Sequence, residues 1–160
     1  MNRNLVIIAL IFLAVVTRLL PHPPNFTPIA GMALFAVNRF SDKRLAFSLP
    51  IVCMIFTDIF IGFYSITPFV YISIIGICCI GYFSNKINSI TILKSSMLFF
   101  LISNFGVWLL GYPNTIAGFI SCYTLALPFL INTVIGDLFF YHALNLSFNR
   151  IEERYLALSS

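Results

Sequence analysis

Charged side chains are scarce in this sequence. Only 9% of its 160 residues are Asp, Glu, Lys or Arg, and 60% are apolar, whereas a soluble domain has about 25% charged residues. The mean hydropathy is +1.00. A small soluble domain leaves about a third of its unfolded surface exposed, and this sequence has too few polar residues to cover that surface. The composition therefore excludes an ordinary soluble domain and predicts an integral membrane protein.

Motifs of enzymes and nucleotide-binding proteins are also missing. The sequence has no Ser/His/Asp array, no glycine-rich phosphate loop and no HExxH pattern. Its four cysteines lie in or directly beside apolar segments without the CxxC spacing of a zinc site, so they are predicted to be small core residues. We therefore expect a protein that is not an enzyme and that holds no cofactor or metal.

The nine basic residues give a formal net charge of +4. They are scattered between apolar runs and form no patch of the kind that nucleic-acid binding requires, so no nucleic-acid partner is predicted. Their distribution instead fits the positive-inside bias of membrane proteins.

Charges and turn residues divide the chain into six apolar segments. A transmembrane helix needs about 20 apolar residues, and the second segment is the shortest. It is predicted to tilt little, to thin the bilayer locally or to lie within the bundle. The expected fold is all-α, a six-helix transmembrane domain over residues 1–148 followed by a short cytoplasmic tail, 149–160. The segments cover residues 4–20, 27–40, 45–63, 67–83, 94–110 and 123–146.

The connections predict the topology. Basic residues precede the first segment and follow the second, fourth and sixth, while residues 21–26, 64–66 and 111–122 contain no Lys or Arg. Because cytoplasmic loops accumulate Lys and Arg, we expect six crossings of a bacterial inner membrane with both termini in the cytoplasm. The first segment resembles a signal peptide, but Arg18 and a proline-rich stretch stand at the cleavage position, so it is predicted to be retained.

Three charged residues lie within or beside apolar segments, namely Arg18, Asp58 and Asp137. Each costs about 2.5 to 3.5 kcal/mol at the centre of a transmembrane helix, so each needs a partner or a wet cavity. The topology places Arg18 and Asp58 in the outer part of the membrane. Either they pair or share a ligand, or Arg18 reaches the interface alone and Asp58 accepts hydrogen bonds between helices.

Two polar stripes extend this set. Asn104, Trp108 and Tyr112 share a face of segment five at four-residue spacing. They are predicted either to bind a flat, partly polar molecule or to serve as ordinary residues of the membrane interface. The second stripe lies in segment six, where Thr133, Asp137 and Tyr141 recur at the same spacing and Asn132 lies beside them. Asp137 is predicted either to accept a proton or bind a coupling ion, or to fix helix packing by hydrogen bonding.

Small residues are concentrated in the second segment. Ala30, Gly31, Ala33 and Ala36 offer a surface on which another helix can approach closely. We therefore expect this segment to pack tightly in a bundle.

Several stretches carry a resemblance to a known family. Residues 18–28 read RLLPHPPNFTP and residues 30–35 read AGMALF, and further matching pieces are Thr57-Asp58, NFGVW at 104–108 and Tyr112-Pro113. Over residues 18–140 the chain resembles an uncharacterised family of bacterial membrane proteins described as transport proteins. That family in turn resembles the substrate-binding S components of energy-coupling-factor vitamin transporters.

The resemblance implies a six-helix subunit with its ligand pocket near the outer face. It implies uptake of a small vitamin-like substrate, with energy supplied by a separate transmembrane and ATPase module. Two other hypotheses remain, a structural protein of the cell envelope and an intramembrane enzyme that uses Asp58 or Asp137 as acid or base. The expected substrate-binding residues are Arg18, Asn25, Asp58, Asn104, Trp108, Tyr112, Asn132 and Asp137.

Overall fold

The computed structural model describes residues 2–156, and within them the chain folds into six α-helices and no strand. A 3₁₀ turn, Thr17–Leu19, continues the first helix, and a π-helical turn, Glu152–Leu156, follows the last. The all-α prediction and the helix number are thus confirmed. The helices are α1 (Arg3–Val16), α2 (Ile29–Arg39), α3 (Lys43–Ile61), α4 (Thr67–Phe83), α5 (Ser89–Gly111) and α6 (Ile116–Ile151).

Two helices are longer than their apolar segments. The Asn88 side chain accepts a hydrogen bond from the Thr91 N–H at the start of α5, and Thr115 does the same for Gly118 at the start of α6. These polar caps satisfy free N–H groups beyond the apolar run, so the helices begin earlier than hydropathy predicts. At its other end α6 runs without a break past residue 148, where the tail was expected to begin. Residues 157–160 of that tail lie outside the described residues.

The short helix α2 is the centre of the bundle. Nine of its eleven residues are buried, and it contacts each of the other five helices. At 1.5 Å per residue it is about 16 Å long, roughly half of a hydrocarbon core of about 30 Å. Of the three alternatives for this segment, the position within the bundle is confirmed.

Gly31 brings α2 against the backbone of α6. A Cβ atom at this position would lie 2.8 Å from the carbonyl oxygen of Asp137 and 2.9 Å from the backbone nitrogen of Tyr141. A larger residue would force the two helices apart. The small-residue surface of α2 therefore has the packing role that the sequence predicts.

One end of the bundle is rich in cations. Arg3 at the start of α1 forms an ion pair with Glu152 at 3.1 Å and donates to the Arg39 carbonyl at 2.8 Å. The Arg39 guanidinium donates to Asn145 in α6 and stacks 4.7 Å from the centroid of Phe148. This region, where α1, α3 and α5 begin, is called the basic end below, and the opposite end is called the cavity end.

The outer surface of the bundle is strongly apolar. Helices α3, α5 and α6 are long and apolar enough to cross a membrane. Large side chains such as Phe60, Phe83 and Ile116 are 66%, 81% and 80% exposed. Apolar surface of this extent is costly in water and favourable in lipid, so the structure is consistent with membrane association.

Candidate functional site

A cavity of about 380 Å³ lies at the cavity end. Its wall includes residues of the 3₁₀ turn after α1 and of each helix from α2 to α6. The connections before α2, between α3 and α4 and between α5 and α6 also contribute to it. The volume falls near the lower limit of small-molecule pockets, which is about 300 Å³. The lining residues are Arg18, Asn25, Thr27, Ile29, Asp58, Ile61, Gly62, Tyr64, Ile66, Thr67, Val70, Phe99, Ser103, Asn104, Val107, Tyr112, Cys122, Leu125, Ala126 and Phe129.

Arg18 and Asp58 form an ion pair in this wall. The Arg18 Nη2 atom donates to Asp58 Oδ1 at 2.9 Å, and the two side chains are only 13% and 8% exposed. Arg18 Nη1 also donates to the Thr57 hydroxyl and to the Met54 sulfur, and the Tyr71 hydroxyl donates to Asp58 Oδ2 at 2.7 Å. The predicted pair is therefore confirmed, and the alternative of an isolated Arg18 that extends to the interface is wrong. The other part of that alternative, that Asp58 accepts a hydrogen bond from a neighbouring helix, is confirmed by Tyr71.

This pair connects three helices and fixes the guanidinium at the cavity. Arg18 follows α1, Asp58 belongs to α3 and Tyr71 to α4. Removing one member would leave a buried charge without compensation, which typically costs about 3 to 5 kcal/mol. The arrangement thus provides a fixed cation whose charge is already neutralised.

Two carboxamides also line the cavity. Asn104 in α5 donates one N–H to the Phe100 carbonyl at 2.8 Å, which orients the amide. Asn25 lies in the proline-rich connection before α2, with a left-handed φ of 61°, a conformation that asparagine adopts more readily than most residues. Tyr112, the residue that caps the end of α5, completes the group of predicted residues that the fold brings together.

Trp108 does not line the cavity, although it was predicted to. Its ring packs 5.5 Å from Phe105 and 5.4 Å from Phe119, measured between centroids. Residues four apart on a helix differ in direction by about 40°. Asn104 therefore faces the cavity, whereas Trp108 is turned toward α6. Tyr112 returns to the cavity because the chain is extended there, beyond the last helical residue.

Asn132 likewise lies outside the lining. Its side-chain N–H donates to the Pro24 carbonyl at 2.9 Å and so holds the connection that carries Asn25. A substrate contact was predicted for Asn132, but the structure gives it a bond to the backbone of that connection.

Asp137 is placed deeper, and it is 1% exposed. Its Oδ1 accepts from the backbone N–H groups of Ala30 at 2.9 Å and Gly31 at 3.1 Å, and its Oδ2 accepts from the Ser96 hydroxyl at 2.7 Å. Pro28 at the start of α2 provides no side-chain cap. Asp137 therefore caps α2 from another helix and complements its dipole. This agrees with the packing interpretation, and Asp137 is not among the cavity residues.

Sequence reasoning did not identify Tyr71 or Thr57 as partners of the ion pair. The sequence did contain a signal for Tyr71. Asp58 and Tyr71 lie at equal distances from the short connection between α3 and α4, five residues before Phe63 and five residues after Ile66. Equal depth in adjacent helices makes contact between them expected. Thr57 gave no comparable signal.

Within residues 2–156, His, Cys, Asp and Glu side chains form no group of three or more that would hold a metal ion. The cavity combines an ion pair and carboxamides with aliphatic and aromatic side chains, a composition typical of small-molecule sites.

Comparison with known proteins gives one family. A family model matches residues 1–158, and its description is DUF6580, a family of unknown function. No curated protein and no solved structure matches the chain.

Proposed function

We propose that this chain, which belongs to the DUF6580 family, is a membrane-embedded substrate-binding or transport subunit for uptake of a small vitamin-like molecule. The observation that carries the proposal is the cavity. Arg18, Asn25, Asp58, Asn104 and Tyr112 come from distant parts of the sequence and line one space. Polar side chains are costly inside a membrane-embedded bundle, so packing against lipid alone does not explain why these five line one cavity.

The proposed topology has six crossings of a bacterial inner membrane with both termini in the cytoplasm. Eight of the nine basic residues lie toward the basic end, and Arg18 is the exception. The positive-inside bias therefore supports a cytoplasmic basic end. The second crossing combines the short helix α2, which is buried in the bundle, with the connection before it, whose residues 19–25 are exposed.

In this orientation the cavity faces the outside. A solute would enter under the connections 21–28, 62–66 and 112–115, and Arg18 and Asn104 would fix its polar groups. The sequence contains no nucleotide-binding motif, so the proposal includes a separate energising module with transmembrane and ATPase components.

Thermal unfolding of the full-length protein in detergent or nanodiscs tests this proposal. A panel of vitamins and their precursors should contain a member that stabilises the fold, by about 2.7 kcal/mol at a concentration of 100 Kd. Asn104→Leu should abolish the shift, and Leu109→Ala, an exposed position on the same helix, should retain it. No shift with any member of the panel, from a sample shown to be folded, would contradict the proposal.

A scaffold role in the cell envelope is the second candidate. It is favoured by the fact that Asp58, Asn132 and Asp137 all bond to other parts of the fold. In that case Asn104→Leu should weaken a complex with other membrane proteins, and no panel member should stabilise the wild type.

A further inference from the structure

We propose that the cavity selects an uncharged ligand whose polar edge carries a hydrogen-bond donor beside an acceptor, as a primary or cyclic amide does. This inference rests on the proposed function and specifies its substrate class. It follows from the charges and the unused hydrogen-bonding groups in the wall.

The charges in the wall cancel. Arg18 and Asp58 are the only charged residues among those that line the cavity, and they contact each other at 2.9 Å. A ligand carboxylate would have to compete with Asp58 for the guanidinium, and a ligand cation would have to compete with Arg18 for the carboxylate.

The surroundings provide no other countercharge. Residues 19–28, 59–66 and 105–136 contain no Asp, Glu, Lys or Arg. His22, in the first of these ranges, is exposed, and its Nδ1 atom is 2.9 Å from the carbonyl oxygen of Pro23. Asp137, the next acidic residue along α6, is occupied by α2 and Ser96. A charged ligand in this cavity would therefore lose hydration without gaining a countercharge.

The unused polar groups define the ligand's edge. A guanidinium has five N–H donors; three of those on Arg18 are engaged within the fold, which leaves two. A carboxamide has two N–H donors and one oxygen, and Asn104 uses a single N–H for the Phe100 carbonyl. Asn25 makes no side-chain hydrogen bond within residues 2–156. Each asparagine thus presents a donor next to an acceptor, which is the complement of an amide edge.

Hydroxyl side chains also line the cavity, namely those of Thr27, Tyr64, Thr67, Ser103 and Tyr112, and the remaining wall is largely apolar. Ile29, Val70, Phe99, Val107 and Phe129 surround the polar groups, and such walls bind rings by excluding water. The ligand is therefore a small ring system with an amide-type edge.

Three compounds of nearly the same shape test this selection: benzamide, which is neutral, benzoate, which is an anion, and benzamidinium, which is a cation. Saturation-transfer NMR titrations on the full-length protein in nanodiscs measure their affinities. Wild type should bind benzamide at least about tenfold more tightly than either ion. The ions would be desolvated without a countercharge, whereas the neutral benzamide needs none.

Charge-changing variants sharpen the test. Asp58→Asn leaves the Arg18 charge without its partner and should shift the preference at least about tenfold toward benzoate. Asp42→Asn makes the same change in charge at the exposed, basic end of α3, and it should leave the order of affinities unchanged. If Asp58→Asn does not fold, Asn104→Asp provides a second variant that should shift the preference toward benzamidinium.

Tighter binding of benzoate or benzamidinium than of benzamide to wild type would overturn the inference and leave the proposed function standing. Absence of binding by all three would also overturn it. The proposed function itself would fall only if the vitamin panel also failed to stabilise the folded protein.

Discussion

The carboxylate of Asp137 in α6 accepts a hydrogen bond from the backbone N–H of Ala30 at the start of α2, at 2.9 Å and across 107 residues of sequence. An acidic side chain thus caps a central helix that has no side-chain cap of its own. Because α2 contacts every other helix, this bond orients the core of the bundle.

Replacing Asp137 should therefore affect stability more than ligand binding. Asp137→Ala leaves the backbone N–H groups of Ala30 and Gly31 without their acceptor, and each such group costs about 1 to 3 kcal/mol. The Ser96 hydroxyl can still donate to the Ile92 carbonyl at 3.1 Å. We expect an unfolding free energy lower by at least about 2 kcal/mol, measured by thermal or SDS denaturation in micelles. Asp137→Asn should lose less, because its amide oxygen still accepts. An Asp137→Asn protein of unchanged stability that no longer transports substrate would assign Asp137 to coupling instead.

Breaking the ion pair should be costly, and removing both of its members should be less so. Arg18→Met and Asp58→Leu should each lower the unfolding free energy by about 3 to 5 kcal/mol, because each leaves a buried charge alone. The double variant should be more stable than either single variant. A double-mutant cycle by chemical denaturation measures the coupling, and strictly additive losses would show that the two charges act independently.

Gly31→Ala should destabilise the contact between α2 and α6. The added methyl group would lie 2.8 Å from a backbone oxygen, and overpacking of this kind costs about 1 to 3 kcal/mol. Gly111→Ala is the matched control, because a Cβ there meets nothing within 4 Å. Thermal unfolding of the two variants should separate them, and equal melting temperatures would contradict the close approach of the helices.

The fold was largely predictable because hydropathy, charge and turn residues all mark the same segments. The position of Arg18 and Asp58 at one end of the bundle also followed from the sequence, since both lie near connections without basic residues. The beginnings of α5 and α6 were not predictable from hydropathy, because Asn88 and Thr115 fix them through side-chain caps.

Side-chain direction was the harder problem. Four-residue spacing places Asn104 and Trp108 on neighbouring parts of one face, yet only the asparagine lines the cavity. The choice depends on where Phe119 of the next helix lies, since the indole packs against that ring. Similarly, nothing in the sequence near Asp137 indicates that its partner is the start of α2.

The proposed topology predicts where reagents gain access. In a variant without its native cysteines, Asn114→Cys in the connection before α6 should react with a membrane-impermeant maleimide on intact cells. Asn85→Cys, between α4 and α5, should react only after permeabilisation, because the basic end faces the cytoplasm. If Asn85→Cys reacted on intact cells and Asn114→Cys reacted only after permeabilisation, this orientation would be contradicted.

The most direct test is equilibrium binding of the strongest stabilising panel member to wild type and to Asn104→Leu, each purified and shown to be folded. Wild type should bind one molecule per chain, and the variant should lose at least about tenfold in affinity, because a buried polar ligand group would be left without its partner. Equal affinity for the two proteins would place the ligand outside the cavity and contradict its role as the binding site.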